Sequence, residues 1–468
     1  GLADVVGSLP KKLQALGLDA RIVVPRYKNV KLELLKAKKL ASIPVDFGGR
    51  NYPTEIFQAL VPGSKTIVYL LQQPYWLSEG EIYETGFEQK EKNYLAKRFL
   101  FFSKAALLAL EKAKFQADIV HTHDWPTANV CNLINSRAFQ NGFFRNTKTL
   151  LTIHNLEHQN FTDLSSLQAA GLGPKYLPAL TASKSNPNYY DTLAAGILCT
   201  DQLNTVSPTY ASEITRQDDK PGLGMALLKH KKTLVGILNG IDTEYFNPET
   251  DAYILSTYSL KTLEKKALNK TGLQKKLGLK VDPSQMLAGV VTRLSEQKGL
   301  ELIISAIEKT VDLPFQFVIL GQGEEKYAAA LYALSQKYPK KVGVTTRYDA
   351  HLAREIYAGS DVFLMPSKFE PCGLTQLIAM RYGTLPLARD TGGLHDTVID
   401  CAKPSGYGFL FKKFDAAALI STLKRAYGIL KNKTAWLKMQ QRAMKADFSW
   451  DKSARQYLRL YQKLMERK

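Results

Sequence analysis

Val362-Phe363-Leu364-Met365 runs directly into Pro366-Ser367-Lys368-Phe369-Glu370-Pro371-Cys372-Gly373-Leu374-Thr375-Gln376. Four apolar residues without polar alternation read as a strand covered on both faces, as in parallel sheets wound with helices. The glycine-containing turn that follows leads into a helix, and a helix start leaves backbone N–H groups open to phosphate oxygens. Glu370, just ahead of that turn, can accept hydrogen bonds from sugar or ribose hydroxyls. The same residues also suit an ordinary strand-to-helix loop with a surface glutamate, and chemistry alone leaves the two readings even.

Upstream, Gly289-Val290-Val291 ends in Thr292-Arg293-Leu294-Ser295-Glu296-Gln297-Lys298-Gly299. Two cations five residues apart on a strand-to-helix loop can converge on one diphosphate, the arginine as a planar fork and the lysine as a point charge. Taken alone, such a pair is more often a solvated basic loop; its place at a strand end favours a ligand, because open α/β sheets bind ligands beyond the carboxyl ends of their strands. In the first half, His121-Thr122-His123-Asp124-Trp125 and Thr152-Ile153-His154-Asn155 likewise follow apolar strands. Two such polar sets on one sheet edge point away from isolated core histidines without assigning a role.

Similar runs recur at 21–24, 66–70, 118–120, 150–153, 315–320 and 384–387, separated by segments of helical period such as Val5, Leu9, Leu13 and Leu16 before Gly17. Strand alternating with helix throughout predicts an α/β fold of doubly wound, Rossmann-like sheets. The 468 residues are enough for two or three domains of roughly 150 residues each. A junction is expected at Val235-Gly236-Ile237-Leu238-Asn239-Gly240-Ile241-Asp242, which places one domain over 1–237 and a second over 238–447, with an amphipathic helix over 448–468. The proline-bearing stretch 171–190 reads as a loop bordering a cleft.

The 63 Lys+Arg against 43 Asp+Glu give a net charge of +20. That field suits any polyanion or anionic small substrate. The lysines of 28–39, 261–280 and 424–445 fall at helical spacing with apolar residues between, as on solvated helix faces, so neither nucleic acid nor a membrane is expected as a partner. Cys131, Cys199, Cys372 and Cys401 lie far apart without partner histidines, so neither a disulfide framework nor a metal site is indicated. A cytoplasmic location is the expectation. Gly-x-Ser-x-Gly and Walker signatures are absent, which disfavours a serine hydrolase and a P-loop nucleotidase.

Taken together, these stretches resemble the bacterial glycogen synthase and plant starch synthase family, retaining glucosyltransferases of the two-domain GT-B fold. Nine motifs carry the resemblance in order: Gly-Leu-Ala-Asp-Val at 1–5, His-Asp-Trp at 123–125, Thr-Ile-His-Asn at 152–155, Thr-Val-Ser-Pro-Thr-Tyr at 205–210, Leu-Asn-Gly-Ile-Asp at 238–242, Arg-Leu-Ser-Glu-Gln-Lys-Gly at 293–299, Phe-Glu-Pro-Cys-Gly-Leu-Thr-Gln at 369–376, Tyr-Gly-Thr-Leu-Pro-Leu at 382–387 and Thr-Gly-Gly-Leu at 391–394.

The resemblance implies transfer of glucose from ADP-glucose, or alternatively UDP-glucose, to the non-reducing end of an α-1,4-glucan, without cofactor or metal. By motif, Arg293 and Lys298 would stabilise the departing diphosphate together with backbone N–H groups of Gly1 and of the Cys372-Gly373-Leu374-Thr375 turn. Glu370 would hold hydroxyls of the donor glucose. Asp4, His154 and Asn155 would orient the same ring, Tyr348 would stack on the base, and Asn239 and Asp124 would lie along the glucose or acceptor side. With no nucleophile in evidence, front-face displacement is expected, the leaving phosphate helping to deprotonate the acceptor.

Three departures bear on this reading. Ile378 stands eight positions after Glu370, where sucrose- and trehalose-type relatives carry a second glutamate, which favours the glycogen synthase branch. Ile82-Tyr83-Glu84 replaces the usual Pro-Tyr-His near the acceptor. A first strand and a Lys-x-Gly-Gly loop are expected ahead of Gly1; a chain lacking them is expected to be unstable or poorly active. A phosphorylase is disfavoured by the lack of a pyridoxal-phosphate lysine signature, and a catalytically dead glucan binder by the retained Arg293, Lys298 and Glu370.

Overall fold

A computed structural model describes residues 2–83, 91–135, 142–177, 188–216 and 223–466. Contacts divide the chain into two units, Gly1–Ile237 with Ser453–Lys468, and Leu238–Lys452. Both are of Rossmann-like α/β construction.

The first unit opens with β1 (Ile22–Pro25), β2 (Lys38–Phe47), β3 (Arg50–Leu60) and β4 (Ile67–Gln72), in the order β1-β4-β3-β2. β1 runs parallel to β4, but β2, β3 and β4 pair antiparallel. The Gly48-Gly49 turn between β2 and β3 has both φ values positive, +62° and +76°, the backbone that a two-residue hairpin requires. Here the structure corrects the reading of 28–39 as a solvated helix face. Lys38 and Lys39 begin β2, and the residues before them form turns whose Val30, Leu32 and Leu35 pack on Ile22 and Val68. Burial of those apolar groups outweighs a weak helical spacing.

A second sheet carries β5 (Ile119–His123), β6 (Lys148–Ile153), β9 (Gln202–Thr205) and β10 (Val235–Gly236), all parallel, in the order β10-β9-β6-β5. Two short strands, β7 (Phe161–Asp163) and β8 (Tyr189–Asp191), pair antiparallel in the region read as loop. Residues 178–187 of that region, like Glu84 and Gly1, lie outside the described residues.

The second unit is one six-stranded parallel sheet: β11 (Met286–Val291), β12 (Phe315–Leu320), β13 (Val342–Thr345), β14 (Val362–Met365), β15 (Leu385–Arg389) and β16 (Phe409–Phe411). Every residue of β12 and β14 is buried, as uninterrupted apolar strands require. The spatial order is β13-β12-β11-β14-β15-β16, which is the 3-2-1-4-5-6 of a dinucleotide-binding sheet. The chain reverses its winding between β11 and β14, and at that point the loops that follow both strands open on the same edge.

Candidate active site

The loops that meet at the switch point are 292–299, after β11, and 366–374, after β14. They are joined along their length. Lys368 N–H donates to the Gln297 carbonyl at 2.8 Å, Gln297 Nε2 donates to the Phe369 carbonyl at 3.2 Å, and the exposed Lys368 and Glu296 form an ion pair at 2.8 Å. Gly299 permits this approach, and Gly393, in the helix Gly392–Thr397 that follows β15, permits that helix to approach the β14 loop in the same way. A Cβ on Gly299, whose φ is +66°, would stand 2.2 Å from the Pro366 carbonyl oxygen, and one on Gly393 would stand 2.2 Å from that of Cys372.

Glu370 is only 5% exposed. Its carboxylate accepts from Lys298 Nζ at 3.0 Å on Oε1 and 2.7 Å on Oε2, and from Ser367 Oγ at 2.9 Å. The Gly393 N–H donates to its carbonyl at 2.9 Å. Arg389 braces the same loop, Nε donating to the Ser367 carbonyl at 2.7 Å and Nη2 to that of Lys368. Arg293 is exposed, and no hydrogen bond or ion pair holds it among the described residues. An ammonium has three N–H donors. The two Glu370 oxygens lie close enough together for one N–H of Lys298 to serve both, which leaves N–H donors for an incoming anion.

Around this pair, Leu374 and Thr375 begin the helix Thr375–Arg381 after Gly373, whose φ is +72°. Cys372 is 4% exposed; burial pushes its thiol up to about 12, and the Asn239 backbone N–H is directed at it. The side chain is therefore an uncharged part of the wall. Asn239 is buried too, and its Oδ1 has no hydrogen-bond partner among the described residues. Tyr348, in the loop after β13, is 82% exposed, so one face of its ring is available for stacking.

In the first unit, β5 passes directly into the helix Asp124–Asn135, with Asp124 at φ +53°. Thr127 holds this turn, its Oγ accepting from the His123 N–H at 2.6 Å and donating to the His123 carbonyl at 2.9 Å. Asp124 Oδ1 faces the end of β6, where it accepts the backbone N–H of His154 at 2.7 Å and of Asn155 at 3.4 Å. Burial pushes the Asp124 carboxyl up to about 7. The motif tyrosine Tyr210 steadies the same loop by accepting the Leu156 N–H at 3.0 Å. His154 is 9% exposed and its Nε2 lies 3.0 Å from His123 Nδ1, while its Nδ1 has no partner among the described residues. Asn155 is half-buried and Asp4 exposed, in the first turn of the helix Leu2–Ala15.

Ser367 and Arg389, which brace Glu370, carry no signal in the sequence, and the brace by Gly393 of the Thr-Gly-Gly-Leu motif and the linkage from His121 through His123 to His154 emerge only in the structure. A signal for the last was nevertheless present. Residues two apart on a strand share a face, so His121 and His123 had to stand side by side; their ring centroids are 4.3 Å apart.

Among the described residues no group of three His, Cys, Asp or Glu side chains is arranged to hold a metal ion, and no helix is long and apolar enough to cross a membrane.

Comparison with known proteins agrees with this construction. Residues 1–229 match the starch synthase catalytic domain and residues 273–445 the glycosyl transferases group 1. Glycogen synthases of Thermosipho melanesiensis and Thermotoga maritima are each 39% identical to this chain, over 100% and 99% of it and 96% of each relative. The catalytic domain of starch synthase IV from Arabidopsis thaliana, bound to ADP and acarbose, superposes with a TM-score of 0.91 at 34% identity, covering 100% of this chain and 96% of that one. Sucrose-phosphate synthase from Thermosynechococcus elongatus has a TM-score of 0.58 at 20% identity over 97% of this chain and 91% of its own, a likeness of fold alone.

Two Rossmann-like units, with a cation–carboxylate pair at the switch point of one, define a retaining glucosyltransferase of the GT-B class. Within that class, the chain belongs to the glycogen and starch synthase family.

Proposed function

We propose that this protein transfers glucose from ADP-glucose to the non-reducing 4-OH of an α-1,4-glucan with retention of configuration. The observation that carries the reading is the buried Glu370 bound to Lys298 at the junction of β11 and β14. A carboxylate in this position accepts hydrogen bonds from sugar hydroxyls, and an ammonium beside it meets the leaving diphosphate. The binding of ADP by the Arabidopsis starch synthase supports adenine as the base.

Cleavage of the anomeric C–O bond moves negative charge onto the diphosphate and leaves oxocarbenium character on the ring. Fixed cations at the phosphates therefore act where charge develops. Lys298 offers a free N–H to a phosphate oxygen, and the exposed Arg293 supplies a planar fork. Leu374 and Thr375 contribute backbone N–H groups at the turn, and Tyr348 stacks on the base. From the first unit, Asp4, His154 and Asn155 address hydroxyls of the glucose. Asp124, which fixes the His154–Asn155 backbone, and Asn239 line the sugar side. The acceptor hydroxyl attacks from the face that the diphosphate leaves, and its proton passes to the departing phosphate oxygen.

The test is incorporation of radiolabelled glucose into glycogen, from ADP-glucose and from UDP-glucose in parallel, by the chain extended with the first strand and Lys-x-Gly-Gly loop that the family resemblance calls for. The expected result is turnover with ADP-glucose at least tenfold above that with UDP-glucose. Incorporation from neither donor overturns the reading, and preference for UDP-glucose overturns the assignment of the base.

A further inference from the structure

Three histidines of the first unit stand in a row at the ends of β5 and β6, and only the last of them enters the reading above. The row is anchored at its far end. Thr152 Oγ donates to Asn204 Oδ1, so it receives the hydrogen bond from His121 Nε2 at 2.5 Å. His121 Nδ1 is then the acceptor for the Tyr461 hydroxyl at 2.8 Å. This fixes both the ring plane and the tautomer of His121. Asn204 Nδ2 in turn donates to the Tyr457 hydroxyl at 3.2 Å, so the helix Trp450–Met465 holds the network at two points.

His123 packs against this anchored ring and turns its Nδ1 to His154 Nε2 at 3.0 Å. Burial keeps both rings of that contact in the neutral form. Two neutral imidazoles share one proton in such a contact, so the tautomer of one dictates that of the other. His154 Nε2 is thereby committed to His123. Its Nδ1, buried and without a partner among the described residues, is left with a definite hydrogen-bonding character and nothing to satisfy it. A buried polar atom in that state calls for a ligand group.

The geometry points to His123 as a positioning residue, which sets the plane and tautomer of His154 so that Nδ1 of that ring meets a hydroxyl of the transferred glucose. The inference rests on the sugar-binding reading of His154. It assigns His123 no contact with the substrate; its effect is exerted through the neighbouring ring, as when an outer partner orients a metal-bound histidine.

The test is a double-mutant cycle on the full chain with ADP-glucose and glycogen. His123→Leu removes the hydrogen bond, and His123→Asn keeps an amide near the place of Nδ1. Expected are a fall in kcat of about 10- to 100-fold for His123→Leu, with KM for ADP-glucose changed less than about threefold, and recovery of most of the kcat in His123→Asn. In a background of His154→Ala, His123→Leu should cost nothing further, since its effect passes through the missing ring. The melting temperature and the far-ultraviolet circular dichroism spectrum report whether each variant is folded; if His123→Leu fails that check, His123→Gln, which displaces the amide from the Nδ1 position, takes its place. Full activity of the substituted enzyme, or losses that add in the double variant, overturns the proposal while leaving His154 as a sugar ligand. Undiminished turnover of His154→Ala overturns the underlying reading instead.

Discussion

Glu370 is a buried carboxylate whose charge is answered by a single ammonium, and its behaviour follows from that. Removal of one member of such a pair leaves the other buried and uncompensated, at a cost of about 3–5 kcal/mol. Lys298→Ala is therefore expected to lower both the melting temperature and kcat, the latter by about 10²–10³-fold. The double variant Lys298→Ala/Glu370→Gln should regain stability, because no charge is stranded, and should stay inactive; thermal melts and glucose incorporation measured together separate the two effects. Arg293 behaves differently because it is free of such partners among the described residues. Arg293→Lys keeps the charge but loses the planar fork, so kcat should fall while the melting temperature stays unchanged. These residues were legible in the sequence because each sits at the end of an apolar strand. Ser367 and Arg389 were not, since neither polar type nor spacing distinguishes a brace from a solvated side chain.

At the scale of elements, the loops after β11 and β14 are positioned by backbone proximity that only glycine allows. In Gly393→Ala the new Cβ would press on the Cys372 carbonyl, and either the loop or the helix Gly392–Thr397 must move. The expected loss is about 2 kcal/mol of stability, together with at least a tenfold loss of kcat, which denaturant melts and activity assays would register. β5 makes a second prediction. His121 and His123 are held neutral by burial, His123 down to about 4, whereas in the unfolded chain both titrate near 6.5. The unfolded state thus binds more protons between those values, so stability is retained above pH about 6.5 and lost as pH falls toward 4. For His123 alone the span amounts to on the order of 3 kcal/mol. His154 adds to this loss, while Asp124, raised to about 7, takes up a proton in the folded state over the same range and offsets part of it; between pH 7 and pH 4 the melting temperature of His121→Gln, which lacks one of the three histidines, should therefore fall less than that of the unsubstituted protein. The stretch 28–37 ahead of the β2–β3 hairpin was the segment least visible beforehand, because its lysines mimic a helical face and the burial of Val30, Leu32 and Leu35 against Ile22 and Val68 becomes evident only when the strands are assembled.

For the whole molecule, the net charge of +20 acts at a distance. The proposed function accounts for Arg293 and Lys298 alone; the remaining cations give a field of the sign that attracts an anionic nucleotide sugar. Screening shortens that field to about 8 Å at physiological ionic strength. Accordingly kcat/KM for ADP-glucose should decline as salt is raised from 10 to about 300 mM, with kcat nearly constant; a flat kcat/KM would show that the charge serves only surface solvation. The sequence by itself determined the doubly wound α/β class and the strand-end positions of Arg293, Lys298, Glu370 and His154, because periodicity and turn chemistry are local properties of the chain. Only the tertiary structure decided that β11 and β14 lie side by side at the switch point, that Lys298 meets Glu370 72 residues away, and that His121 is anchored by Tyr461 across 340 residues. Such pairings depend on the order in which strands assemble and on what each buried polar atom finds within reach, and neither is written in the spacing of residues along the chain.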